Sequence, residues 1–200
     1  MVEISKYKMG IRRFGSINWV GFWALYQKEV LRFLIVWIQT LLSPLISSLL
    51  FFMVISLAIG SNRADVLGVS FMSFLAPGLI AMQVIQQSFS HSSSSFMIGK
   101  IQGNIVDILY APLSAGEVIT AISLAATTRS FMIGIVSLFV FYFLVDIEIK
   151  NFYALIYFTF TSSFILGSVG IIAGLWAEKF DHMATITNFF IIPLSFLSGT

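Results

Sequence analysis

Apolar residues along this chain come in helix-length runs separated by short polar breaks. The first run, Phe33 to Ile59, carries no charge. It is long enough to cross roughly 30 Å of hydrocarbon at about 1.5 Å per residue. Pro44 lies inside it and predicts a kink, which membrane helices tolerate. A second run, about 69–90, contains Pro77-Gly78 and turns polar at Gln83, Gln86, Gln87, Ser88 and Ser90; the run His91 to Ser95 is then expected to leave the hydrocarbon. A third, about 118–145, is interrupted by Arg129, and a fourth spans about 152–176. The fourth carries Gly167, Gly170 and Gly174, a spacing that lets helix backbones approach closely in lipid. A fifth starts near Ala184 and is still apolar at Thr200, with no polar residues closing it, so a natural chain is expected to continue.

The polar breaks have structure of their own. Residues 1–16 read as a basic cytoplasmic tail. In residues 17–32, Trp19, Phe22, Trp23, Tyr26 and Val30 recur at helical spacing, while Asn18, Lys28, Glu29 and Arg32 fall mostly on other faces. Aromatics on one face and cations on another suit an amphipathic helix lying in the membrane interface. The polar start of the first span is the plainer alternative. The longest loop, 91–116, repeats Ile101, Ile105, Ile108 and Leu109 at helical spacing until Pro112, which disfavours helix at Ala111. A short helix with apolar contacts to make is expected there. The 60–68 and 146–151 breaks and the 177–183 turn are short and polar.

Composition agrees with this pattern. Of 200 residues, 58% are hydrophobic and 10% charged, against roughly 25% charged in soluble domains. The fold class is therefore all-α, a polytopic transmembrane helical bundle in one domain over 17–200. The chain has no cysteine, which excludes a disulfide framework and thiolate metal sites. No cleavable signal peptide is expected, because the first long run begins late. The charge distribution orients the bundle. Lys6, Lys8, Arg12, Arg13, Lys28, Arg32, Lys100 and Lys179 fall on one side, and Arg63 and Lys150 on the other. The positive-inside rule puts the N-terminus and the 91–116 loop in the cytoplasm.

Several chemistries find no support. No glycine-rich loop ends in Gly-Lys-Ser/Thr, since Gly99-Lys100 is followed by Ile101; this chain is not expected to bind ATP through such a loop. His91 and His182 stand apart without a second ligand at metal spacing and read as surface residues. Ser92 to Ser95 have no base nearby in sequence, so nucleophilic chemistry is not expected. The basic cluster fits topology and anionic lipid better than nucleic acid.

Four segments carry a family likeness. They are FWALYQKEVLRFLIVWIQTLLSPLISSLLF (22–51), FLAPGLIAMQVIQQSFSHSSSSFMIGKIQGNIVDILYAPLS (74–114), TRSFMIGIVSLFVF (128–141) and GIIAGLWAEKFDHMATITNFFIIPLSFLSGT (170–200). Together, over about 22–200, the chain resembles the membrane subunits of ABC exporters of the type-2 class. The resemblance implies six spans in a full chain, about five of them present here, plus the N-terminal interfacial helix. It implies a bacterial cytoplasmic-membrane permease, working as a homodimer with a separate ABC ATP-binding subunit that holds ATP and Mg. No cofactor is expected on this chain. The cytoplasmic helix after the second span would be the coupling helix that docks in the ATPase. That role maps onto Asn104, Ile105, Asp107, Ile108, Leu109, Tyr110 and Pro112. Its apolar residues suit helix-in-groove docking, and Asp107 suits a basic partner. Read from the residues alone, the same segment fits a loop helix packed on its own membrane domain.

Other candidates keep two readings. Arg129, a charge within a span, either lines a translocation path for drug, polysaccharide or lipid-linked glycan or is a structural arginine, snorkelling or paired with Glu117. Glu29 and Arg32 are either a hinge contact or a solvated polar face. Trp19 and Trp23 belong to the interfacial helix. Against an ion-coupled secondary transporter or channel, the spans lack paired acidic residues and show no clear inverted repeat. A non-transporting membrane scaffold is a third class.

Overall fold

The computed structural model describes residues 17–59, 66 and 68–197. The expected tail 1–16, most of the 60–68 loop including Arg63, and residues 198–200 lie outside them. Among the described residues the chain forms α1 (Trp19–Ile35), α2 (Trp37–Ile59), α3 (Phe71–Ile101), α4 (Ile105–Tyr110), α5 (Ala115–Tyr142), α6 (Phe152–Trp176), α7 (Phe180–Ile186), a π-helical turn (Thr187–Ile191) and α8 (Ile192–Phe196). By length and hydropathy, three of these are able to cross a membrane: Trp37–Ala58, Ala115–Tyr142 and Phe152–Trp176. The result is the all-α helical membrane bundle that the apolar runs require.

The bundle is built around α3, which packs against α6 and α5. On one side Phe89 and Met97 of α3 meet Ala173 of α6, Met183 of α7 and Ile191. At another level Phe96 meets Leu25 of α1, Ala121 and Ile122 of α5 and Ile171 of α6. Towards the other end Leu75, Ala76 and Leu79 meet Phe52 of α2 and Phe141 of α5, with Phe52 and Phe141 edge to face at 5.3 Å. The glycine stripe explains the closeness of α3 and α6. A Cβ at Gly174 would stand 2.8 Å from the Ser93 carbonyl, and one at Gly170 would overlap Ser92 Oγ and the Phe89 carbonyl. In lipid, where tails are as apolar as side chains, such backbone approach is a main source of helix association.

Three expectations change. First, α3 does not stop near residue 90: it runs unbroken to Ile101, and His91, Ser92, Ser93 and Ser95 are buried. The serines satisfy themselves, which is why a polar run can stay helical inside. Ser92 Oγ donates to the Ser88 and Phe89 carbonyls, Ser93 Oγ to Ser90 and Ser94 Oγ to His91. Second, His91 is fully buried, not a surface residue, with its ring edge-on to Phe33 at 5.7 Å. Third, Glu29 is on the buried face of α1 with Leu25 and Phe33 and is 2% exposed, so it is not part of a solvated face. Arg32 Nη2 stands 3.0 Å from its carboxylate, a partner that makes the burial tolerable, and His91 Nε2 lies 3.6 Å away.

Candidate functional site

Two sets of residues carry the chemistry. The first surrounds α4. Asn104 stands at its N-terminal cap position, and its side chain donates to Gln102. Ala111 turns extended (φ −60°, ψ 143°) just before Pro112, as proline demands of its predecessor. No residue of α4 is buried. Leu109 is 73% exposed, Tyr110 86% and Val106 47%, and Asp107 is exposed in the first turn. Ile105 is different: it packs against the cluster of Leu25, Phe96, Ala121, Ile122 and Ile171. Ile108 lines a groove of about 490 Å³ between α4 and α1, with Asn18, Gly21, Ala24, Lys28 and Asp107. So the six-residue helix has an anchoring edge at Ile105 and a free apolar edge at Val106, Leu109 and Tyr110.

The loop around α4 is held at both ends. At the α3 end, Lys100 Nζ donates to the Ala177 carbonyl at 3.0 Å and to the Leu175 carbonyl, closing the last turn of α6. At the α5 end, Ser114 and Glu117 form a reciprocal capping box. Gly103, with φ +77°, makes the turn between α3 and α4 in the left-handed region that favours glycine.

The second set is a ladder of polar side chains on α3 that ties every neighbouring long helix to it. Gln83 Nε2 donates to the Pro44 carbonyl of α2 at 2.7 Å and its Oε1 accepts from Ser137 of α5. Gln86 donates to Ser195 Oγ of α8 at 2.8 Å. Gln87 Oε1 accepts from Arg129 Nη2 of α5 at 2.7 Å. Ser88 Oγ donates to the Ser163 carbonyl of α6. Arg32 of α1 reaches the His91 carbonyl at 3.1 Å. Each bond of this kind between membrane helices contributes about 0.6 kcal/mol, so their value is in register more than in stability.

The positions of the other candidates follow. Arg129 is partly buried and bonds Gln87, while Glu117 serves the α5 cap and Asn18 instead, so the Glu117 pairing does not form. Trp19 and Trp23 are 67% and 55% exposed on the outside of α1, with Trp23 stacked on Tyr26 at 5.1 Å. His182 is partly buried against the Trp176 ring at 5.6 Å. Sequence reasoning missed the roles of the three glutamines, of Asn18 and of Glu117. The capping signature Ser114-x-x-Glu117 was readable for the last, but its link to a residue 99 positions earlier was not.

Comparison with known proteins agrees with this architecture. The sequence model of the ABC-2 type transporter family matches residues 20–200. The inner membrane transport permease YadH is 30% identical over 183 residues in Escherichia coli (strain K12), in Escherichia coli O157:H7 and in Shigella flexneri, covering 92% of this chain and 72% of each relative. No solved structure matches the chain. With a match across nearly all of its helices, the chain belongs to the ABC-2 type transporter family, as a membrane transport permease.

Proposed function

We propose that this permease is the membrane half of an ATP-driven exporter of the bacterial inner membrane, with ATP and Mg held by a separate ABC ATP-binding subunit. The free apolar edge of α4 carries the reading. Leu109 and Tyr110 are among the most exposed large apolar side chains of the described residues, and they sit beside the acidic Asp107 on a loop fixed at both ends. An exposed helix edge of this kind fits a groove in a soluble partner. The N-terminus and this loop face the cytoplasm on this reading, where the ATPase is. Two copies of the permease pair with two ATPases, with membrane lipid around them, and cargo leaves between the two copies. The partly buried Arg129 faces that path and meets an anionic group of a drug, polysaccharide or lipid-linked glycan.

Copurification tests the proposal. The ATP-binding subunit is expected to copurify with the unsubstituted chain and to be lost with Leu109→Glu or Asp107→Arg. Substrate movement by the purified permease without ATP would overturn it in favour of an ion-coupled carrier.

A further inference from the structure

We propose that Glu117 is a positioning residue that joins α1 to the loop carrying α4, so that the two move as one piece. This inference rests on α4 being the site of ATPase docking. Glu117 is 7% exposed and uses both carboxylate oxygens. Oε2 accepts from the Ser114 backbone N–H at 2.7 Å, which completes the cap of α5. Oε1 accepts from the Asn18 backbone N–H at 2.6 Å. The cap does not need this second bond. It is short and charge-assisted, the stronger class of hydrogen bond, and it is sheltered from water.

Asn18 completes the joint. It is 4% exposed, caps α1 by accepting from Gly21 N–H at 3.0 Å, and donates through Nδ2 to the Pro112 carbonyl at 3.2 Å. One buried carboxylate and one buried amide therefore bring together the start of α1, the end of the α4 loop and the start of α5. Beside them a Cβ at Gly21 would stand 2.8 Å from Leu113 Cδ2, so the backbone of α1 is held close to the loop. Beyond this point α1 and α4 separate across the groove lined by Ala24, Lys28, Asp107 and Ile108. The polar part of the connection is thus concentrated at Asn18, Pro112 and Glu117, beside the apolar cluster that Ile105 and Leu113 share with Leu25.

The route onward is short. α1 ends at Val36, where the chain breaks helix (φ −108°, ψ 35°) before α2 begins at Trp37. A push on the α4 loop reaches α1 through Pro112 and Asn18 and through Glu117 in the first turn of α5, and reaches α2 through that break.

The absence of cysteine makes the test direct. Single cysteines at Val20 and Gln102, both exposed, are spin-labelled in the permease bound to its copurifying ATP-binding subunit. Distances are measured without nucleotide and after trapping with ATP and vanadate. The unsubstituted joint is expected to keep one narrow distance in both states. Glu117→Ala is expected to broaden it and shift it on trapping with the ATPase still bound. Ser114→Ala removes the cap hydroxyl and leaves the Asn18 bond, and is expected to behave like the unsubstituted chain. If Glu117→Ala does not survive purification, the isosteric Glu117→Gln decides on the same readout. It has one carbonyl oxygen for two N–H donors and is expected to broaden the distance partly. An unchanged distance in both states with the ATPase retained overturns the role of Glu117. Failure of the unsubstituted permease to retain the ATPase overturns the docking role of α4, and this inference with it.

Discussion

Glu29 Oε2 of α1 lies 3.6 Å from His91 Nε2 of α3, bringing together two buried side chains distant in the chain, and Arg32 reaches Ser94, 62 residues on, across the same two helices. The carboxylate sits between the Arg32 guanidinium and the imidazole, with Phe33 against the ring. Removing one member of a buried pair costs about 3–5 kcal/mol, and less where a partner reaches water as Arg32 does at 29% exposure. Glu29→Ala is therefore expected to lower the melting temperature in detergent clearly, and Glu29→Gln to lower it less. Equal melting of all three proteins would show that the carboxylate carries no stability.

The glycine stripe makes a second prediction. Alanine at Gly170 meets Ser92 and backbone atoms of Phe89, which have little room to move, whereas alanine at Gly116 meets nothing within 4 Å. Overpacking costs typically about 1–3 kcal/mol. Gly170→Ala is expected to destabilise the bundle in a detergent melting series, Gly170→Leu more so, and Gly116→Ala to be close to neutral.

Arg129 and Gln87 form the third test. A double-mutant cycle of Arg129→Ala and Gln87→Ala is expected to give a coupling of about 0.6 kcal/mol, up to about 1.7, the range for bonds between membrane helices. Export reads the other role. Loss of export by Arg129→Ala with partial recovery in Arg129→Lys, at equal protein level, supports a cationic group on the path. Normal export by both variants assigns Arg129 to structure alone.

Orientation is checked with the same cysteine-free background. A cysteine at Glu148, in the break between α5 and α6, is expected to react with an impermeant maleimide in cells whose outer face is open to it. One at Gln102 is expected to react only after the membrane is opened. The reverse pattern would invert the topology.

The membrane helices were legible because lipid imposes a simple rule: long uncharged runs, with backbone bonds satisfied inside each helix. The fourth run, 152–176, coincides with α6, and Pro112 ends α4 where its backbone restriction says it should. The buried polar residues were not legible, for a physical reason. Glu29 and His91 look like surface residues to any local rule, because what covers them is another helix: α3 lies over Glu29, and Phe33 of α1 lies over the His91 ring. The serine run after His91 misled in a related way. Its hydroxyls bond to carbonyls within α3, so composition suggested a loop where geometry keeps a helix. Ile105 shows the limit of periodicity at α4: spacing identified the apolar residues, but not which would turn inward.

The π-helical turn at Thr187–Ile191 has a consequence of phase. An α-helix advances about 100° per residue, and a π turn holds one residue more than an α turn would. Everything after Ile191 is therefore rotated by about one residue's step relative to a continuous helix. That rotation brings Ser195 round to Gln86 and Phe196 towards Phe51, at 6.2 Å between ring centroids. The last described helix is thus indexed like a gear tooth. Deleting a single residue between 187 and 191 would keep it helical and apolar, yet present a different face to α2 and α3.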